Sequence, residues 1–252
     1  MKYKQAIRAY LSARNYQRAG LKAILFDMDG VLYDSMPNHA VAWHSVMAAH
    51  GYPFTTEDAY LNEGRTGAGT LRLICRRMGF SITDEEIEAI YREKTKVFLA
   101  LPDARPMTGS YALLQKVVRD GLFPMVVTGS GHATLLDDLN IHFPHIFRRD
   151  RMVTAYDVKH GKPHPEPYLT ALVKGNLQPW EAFVVENAPL GVEAAHAAGL
   201  FVIAVNTGPL PDACLLDAGA NLLFQDMSAL CDAWEDIRNA AKETCYFHSR
   251  IQ

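Results

Sequence analysis

The sequence predicts an α/β chain, a doubly wound parallel sheet of Rossmann-like layout interrupted once by a block of helices. Three observations carry this prediction. Short apolar runs at Ala23–Phe26, Phe123–Val127, 182–185, Phe201–Val205 and Leu222–Phe224 have the near-continuous hydrophobicity of strands buried on both faces. Stretches of helical length and spacing separate most of them, and repeated strand–helix units build a parallel sheet covered on both sides. The alternation fails once, across residues 35–105, where helical patterns follow one another without a strand. The expected organisation is a core formed by residues 1–34 and 106–252, with 1–20 as a helical extension, and an inserted helical cap over 35–105.

Taken in order, the first twenty residues carry Lys2, Lys4, Arg8, Arg14 and Arg18 and no acid, while Ile7, Tyr10 and Leu11 share a helical face. This suits a helix packed on the core or on a partner subunit; a transit peptide or a membrane-surface helix has a similar composition. Strand 23–26 delivers Asp27 and Asp29 into a glycine turn at Gly30. Residues 38–50 form a helix bearing Ala40, Val41, Trp43, Val46 and Met47, broken by Gly51-Tyr52-Pro53. Thr55 opens a short helix with Glu57 and Asp58 in its first turn, where the helix dipole favours acids. Residues 64–69 (Gly-Arg-Thr-Gly-Ala-Gly) read as a loop leading into a helix over 70–78, and Thr83 with Glu86 makes a capping box for a helix running toward Leu101. Beyond Pro102, Pro106 and Gly109 the alternation resumes. Helices are expected at 111–119, 133–139, 166–173, 192–198 and 229–241, and a further strand over 152–158.

With 252 residues, 49% apolar content and a net charge of −3, the chain reads as soluble and globular, with no basic footprint for nucleic acid. No apolar run is long enough to span a membrane. Cys75, Cys214, Cys231 and Cys245 form no Cys-x-x-Cys pair and read as reduced thiols, so a cytoplasmic protein is expected.

Chemistry concentrates where strands end, the usual ligand position in such sheets. Asp27 and Asp29 share one side of their strand, and two buried like charges that close call for a cation such as Mg2+. An Asp-rich turn would account for the same residues. Thr128-Gly129-Ser130 offers a hydroxyl and backbone N–H groups to a phosphate, or simply caps a helix. Lys162 lies in the proline-stiffened run Gly161-Lys162-Pro163-His164-Pro165, and Glu186-Asn187 ends another strand. His160 and His164 stand four apart, but Pro163 prevents a regular helix from presenting both to zinc.

Phe26-Asp27-Met28-Asp29-Gly30-Val31-Leu32 resembles the first motif of the haloacid dehalogenase superfamily, and the chain from about residue 23 to its last helix resembles the β-phosphoglucomutase-like phosphatases and mutases within it. The resemblance implies that Asp27 is the phosphoryl-accepting nucleophile and Asp29 the general acid/base. It implies that Thr128, with Gly129 and Ser130, holds phosphate oxygens, and that Lys162 bridges Asp27 and the transferring group. Asp27, Asp29, Glu186 and Asn187 would bind Mg2+. Asn187 replaces the family's usual acid, so the site loses one negative charge, and restoring an acid there is expected to tighten Mg2+ binding. In the cap, His39 and Lys94 match substrate-contacting positions. The phosphate-gripping arginine of the family has no aligned counterpart: its place falls at Gly67, with Arg65 nearby in a loop expected to be mobile. The implied activity is Mg2+-dependent hydrolysis of a small sugar phosphate or related metabolite through an aspartyl-phosphate. The alternatives are a β-phosphoglucomutase interconverting β-glucose 1-phosphate and glucose 6-phosphate, and a catalytically silent sugar-phosphate binding protein. No nucleic-acid or membrane partner is implied, and the oligomeric state stays open.

Overall fold

The computed structural model describes residues 1–130 and 135–245. Its strands are β1 (Ala23–Phe26), β2 (Phe123–Val127), β3 (Met152–Val153), β4 (Ala182–Glu186), β5 (Phe201–Val205) and β6 (Leu222–Phe224). They form one parallel sheet in the order β3-β2-β1-β4-β5-β6. The helices are α1 (Lys2–Ala13), α2 (Met36–Ala49), α3 (Thr56–Leu61), α4 (Gly67–Arg77), α5 (Asp84–Leu99), α6 (Ser110–Arg119), α7 (Leu135–His142), α8 (Glu166–Gly175), α9 (Pro189–Ala197), α10 (Asp212–Asp217) and α11 (Met227–Cys245).

The pleat sorts the strand residues between two cores. Ile24 and Phe26 pack with Phe183, Phe201, Trp234 and the α1 residues Ile7, Tyr10 and Leu11 on one face. Ala23 and Leu25 pack with Val184, Val202, Tyr168 and Val192 on the other. The basic N-terminal segment is thus a helix docked on the core. Tyr10 donates its hydroxyl hydrogen to the Gly199 carbonyl at 2.9 Å, and Lys4 pairs with Glu243 at 2.9 Å. No described helix is long and apolar enough to cross a membrane. Helices α2 to α5, all between β1 and β2, pack around an apolar cluster of their own that includes Val46, Met47, Phe54, Leu71, Ile74, Ile87 and Ile90.

The strand order reverses at β1, so the crevice beyond the carboxyl ends of β1, β2 and β4 is the switch point of the sheet. Asp27, Thr128 and Asn187 each follow directly on one of those three strands.

Several boundaries differ from the sequence expectation. The expected strand over 152–158 stops after Val153, because Thr154 caps a 3-10 turn at Ala155–Asp157. The Asp157 carboxylate accepts from the Thr154 N–H at 2.8 Å, closing a capping box that ends the extended chain. The glycine-rich loop is shorter than expected, since Thr66 Oγ1 accepts from Gly69 N at 3.1 Å and starts α4 at Gly67. Pro189 opens α9 three residues earlier than expected, its fixed φ suiting a first turn. Helix α10 was not anticipated. Of the helix expected over 133–139, residues 133 and 134 lie outside the described residues. Cys75, Cys214 and Cys231 are free thiols.

Candidate active site

Asp27 sits at the end of β1, buried, and meets Lys162 from the loop after β3. The Lys162 ammonium donates to Asp27 Oδ1 at 2.5 Å, to Glu186 Oε1 at 2.5 Å and to the Val127 carbonyl at 3.2 Å, which uses all three of its hydrogens. Glu186, fully buried, also accepts from the Tyr168 hydroxyl at 2.7 Å and from the N–H groups of Asn187 and Ala188 at 3.0 and 3.2 Å. Four donors fill the acceptor directions of one carboxylate. Glu186 therefore serves to hold Lys162, and its expected place among the metal ligands is not the one this geometry favours.

Asp29 has different company. Ser35 Oγ donates to its Oδ1 at 2.6 Å and Ser130 Oγ to its Oδ2 at 3.3 Å, while His39 Nε2 lies 3.3 Å from Oδ1. Behind His39, the Lys94 ammonium is 2.7 Å from His39 Nδ1. Lys94 is buried among the rings of Phe98, Trp43 and Tyr91, with centroids 4.8, 5.6 and 6.0 Å from Nζ, a cation–π box. Burial lowers its pKa to about 8, against the pull of Asp29. With Lys94 as the donor, the remaining ring proton of His39 faces Asp29.

The two carboxyl groups are pushed apart. Burial drives Asp27 up to about 8; Lys162 opposes this, while Glu186 and Asp29 add to it. Burial would raise Asp29 as well, but the His39 ring, the Ser35 hydroxyl and Lys94 outweigh it and hold that carboxyl below the ordinary range. In the metal-free site the split therefore leaves the proton on Asp27 and the negative charge on Asp29, and a cation beside Asp27 would be needed to free it as a carboxylate.

A further carboxylate, missed in the sequence, completes the cluster. Glu63 follows α3 and is buried against the core, where Asn187 Nδ2 donates to its Oε1 at 2.9 Å. Burial, then the charge of Asp27, raises its pKa well above the usual carboxylate value. Gly64, next in the chain, has a φ of +82° and lies so close to the core that a Cβ there would meet Lys162 Cδ at 2.9 Å. Only glycine lets this loop sit down on Lys162 and carry Glu63 inward. On the other side of Asn187, Gly30 has a φ of +77° and leaves no room for a side chain: a Cβ would stand 2.0 Å from Asn187 Nδ2. Asn187 is thereby fixed with its amide N–H toward Glu63, and its Oδ1 is buried with no hydrogen-bond partner.

These residues suit Mg2+. Asp27 and Glu186 share the Lys162 ammonium, and burial together with the mutual repulsion of Asp27, Glu63, Glu186 and Asp29 raises Asp27 and Glu63, a cost that a divalent cation would offset. The orphaned Asn187 Oδ1, Asp27 and Glu63 offer hard oxygen donors. Both oxygens of Asp29 are taken up by Ser35, His39 and Ser130, the setting of a proton-transfer group.

The site opens into a cavity of about 70 Å3. Its lining includes the expected residues Asp27, Asp29, His39, Arg65, Lys94, Gly129 and Ser130, and also Glu63. Arg65 is half-buried, and its Nε donates to Asn62 Oδ1 at 3.2 Å. Thr128 is buried beneath this surface with its Oγ1 accepting from Ser130 N at 3.0 Å, which leaves the hydroxyl hydrogen to be donated elsewhere.

The family model of the haloacid dehalogenase-like hydrolases matches residues 24–205. The fructose-1-phosphate phosphatase of Escherichia coli is 31% identical over 75% of this chain and 98% of its own. The phosphorylated carbohydrates phosphatase of Thermotoga maritima is also 31% identical, over 88% of this chain and 99% of its own. A solved structure from Bacteroides vulgatus, assigned as a β-phosphoglucomutase, superposes with a TM-score of 0.93 at 55% identity, covering 96% of this chain and 98% of that one. The chain belongs to the haloacid dehalogenase-like hydrolase family, in its β-phosphoglucomutase-like subgroup, and is an enzyme of that family.

Proposed function

We propose that the enzyme is a Mg2+-dependent phosphatase that hydrolyses a small phosphorylated metabolite, a sugar phosphate or related ester, through an aspartyl-phosphate on Asp27. One observation carries the reading. Two carboxylates at the end of β1 stand in opposed environments, Asp27 on Lys162 and Asp29 on the Ser35–His39–Lys94 chain, at the floor of a half-open cavity.

In this reading Asp27, freed as a carboxylate by the cation, attacks phosphorus in line, and the leaving oxygen is protonated through Asp29, which draws that proton from the His39–Lys94 pair. The His39–Lys94 pair behind Asp29 holds a proton within reach of it. In the second step Asp29, again a carboxylate, takes a proton from water as the water attacks the phospho-aspartate, releasing phosphate and Asp27. Lys162 and the Thr128 hydroxyl lie where charge develops on the phosphoryl oxygens. Asp27, Asn187 Oδ1 and Glu63 would hold Mg2+, which when bound neutralises the carboxylates and the phosphoryl oxygens.

Water is favoured over a sugar as acceptor because a mutase must retain a hexose bisphosphate between its half-reactions, which calls for a second phosphate anchor in the cap. The aligned position for a bidentate anchor, Gly67, is closed off: a Cβ there would meet Tyr91 Cδ2 at 2.3 Å. The mutase reading draws on Arg65, whose guanidinium lines the cavity. A silent binding protein would have no use for the full set of Asp27, Asp29, Thr128 and Lys162.

The test is phosphate release by purified protein, with Mg2+ or with EDTA, from a panel graded by leaving group. The panel runs from hexose phosphates through glycerol phosphate and phosphoglycolate to inorganic pyrophosphate. Metal-dependent release that is fastest for compact leaving groups is expected. β-Glucose 1-phosphate with a trace of the 1,6-bisphosphate is assayed alongside, and glucose 6-phosphate forming faster than free phosphate would overturn the phosphatase reading.

A further inference from the structure

We infer a second metal site, for a borderline transition ion such as Zn2+, Ni2+ or Cu2+, formed by His160, His164 and Glu166 on the loop that carries Lys162. Pro163 does stop a helix between the two histidines, yet the chain brings them together by another route. His164 N donates to the Gly161 carbonyl at 3.1 Å, and the turn so formed places the two imidazoles 4.7 Å apart at 37°. Glu166 opens α8 directly beside them. His160 Nδ1 is 2.8 Å and His164 Nδ1 3.9 Å from Glu166 Oε2, and a ligand atom from each residue can be chosen so that all lie within 4.8 Å of one another.

Two features make this more than a solvated cluster. Glu166 is anchored by backbone as well as by a ring: its Oε1 accepts from Lys159 N at 2.8 Å and its Oε2 from His160 N at 3.0 Å, beside the contact with His160 Nδ1. The Lys159 bond and then the His160 ring keep its carboxyl ionised. The histidine side chains, by contrast, are 64% and 51% exposed, so the rings can turn to an ion. Ligands of a tetrahedral ion with bonds of about 2.0 Å stand about 3.3 Å apart, a small contraction for exposed side chains. Two imidazole nitrogens and one carboxylate oxygen suit zinc, nickel or copper and do not suit Mg2+, which takes oxygen donors. The remaining coordination positions face solvent. The site is separate from the catalytic centre, whose metal donors are all oxygens.

The experiment uses untagged protein in excess Mg2+, which fills the catalytic centre, and titrates Zn2+ by calorimetry. One Zn2+ per chain is expected. Since losing even an outer partner of a ligand costs about 10–100-fold in affinity, His160→Gln and His164→Gln should each weaken binding at least about tenfold. Asp27→Asn should leave it unchanged. Cu2+ bound under the same conditions should show nitrogen hyperfine structure in its EPR spectrum that each histidine variant reduces. Unchanged thermal unfolding of the metal-free variants confirms that they fold. Absence of Zn2+ binding, binding that His164→Gln leaves intact, or binding that Asp27→Asn abolishes would each overturn the site.

Discussion

Replacing Glu63 by Gln separates a metal ligand from a structural acid, because its effects on the bound and the metal-free protein have opposite signs. In the metal-free protein Glu63 is buried beside Asp27, Asp29 and Glu186, with only the Asn187 amide to offset it. Burial and this crowding raise its pKa, so wild type loses stability as Glu63 is made to ionise, and Glu63→Gln, which cannot ionise, should melt higher than wild type in EDTA at alkaline pH. With Mg2+ the same change removes an anionic donor. A buried charged contact is worth about 1.5–3 kcal/mol, which at about 1.4 kcal/mol per decade is roughly a ten- to hundredfold loss of Mg2+ affinity. Asn187→Asp alone reverses the expectation drawn from charge counting. It sets a carboxylate 2.9 Å from Glu63, a repulsion of roughly 6 kcal/mol at an effective dielectric constant of about 20. One of the two acids then keeps a proton and no tightening results. Combining the two substitutions moves the carboxylate to position 187 and the amide to position 63, and should recover most of the affinity. The assay is Mg2+ titration of phosphate release at fixed pH, with calorimetric Mg2+ binding beside it. Half-saturation of Glu63→Gln within about twofold of wild type, or Asn187→Asp alone tightening Mg2+ about tenfold, would refute the assignment.

Asp27→Asn should abolish turnover while leaving the fold intact, since an amide cannot accept a phosphoryl group; turnover within about tenfold of wild type would exclude the covalent route. Asp29→Asn should slow both formation and breakdown of the phospho-enzyme by about a hundredfold or more, read by rapid quench; an unchanged rate removes Asp29 from the proton transfers. Because Asp27 is raised to about 8 and the metal requires the carboxylate, Mg2+ binding at pH 7 should release about one proton. Calorimetry in buffers of different ionisation enthalpy measures this, and an enthalpy independent of buffer would contradict it. The linked stability effect has a definite sign: an acid with a raised folded pKa favours the folded state while protonated. Metal-free protein should therefore lose stability as pH rises from the unfolded Asp value of about 3.9 to about 8 and level off above it.

How much of this was legible in the sequence follows from the range of the interactions involved. Strands β1, β2, β5 and β6 were readable to the residue because a strand buried on both faces needs an unbroken apolar run, and each run ends where polar chemistry begins. The capping box at Thr83 is local and was visible as such, and at Thr55 the helix start and its acids were readable though the box itself was not named. Thr154 and Asp157 carry the same local signal, masked there by the apolar residues Ala155, Tyr156 and Val158. Asp27, Asp29 and Glu186 could be named because their motifs end strands, and Lys162 because its proline-flanked run resembles a family motif. Glu63 could not. In the sequence it is one acid before a glycine-rich turn, and its role exists only because Gly64 lets the cap loop descend 124 residues away in sequence onto Asn187. The histidines beside Lys162 were set aside on a correct premise, since Pro163 does exclude a helix, but a turn assembles ligands as well as a helix does.

Glu63 and Arg65 flank Gly64 on a single cap loop, whereas Asp27 and Asn187 belong to the core, and this division ties metal binding to closure. In the seated loop Glu63 meets Asn187 and Arg65 stands in the cavity lining. A lifted loop would withdraw one oxygen donor and one guanidinium together, and would give substrate a way in. Reseating it would return Glu63 as a donor for Mg2+ and set Arg65 against whatever negative charge the substrate carries beyond its phosphoryl group. A leaving group without such charge gives Arg65 only the Asn62 contact it has in the empty site, and closure gains nothing from it. The same loop that completes the metal site thereby favours compact substrates with a second anionic or strongly polar group, and a neutral, bulky alcohol would both overfill the cavity and leave Arg65 without a partner.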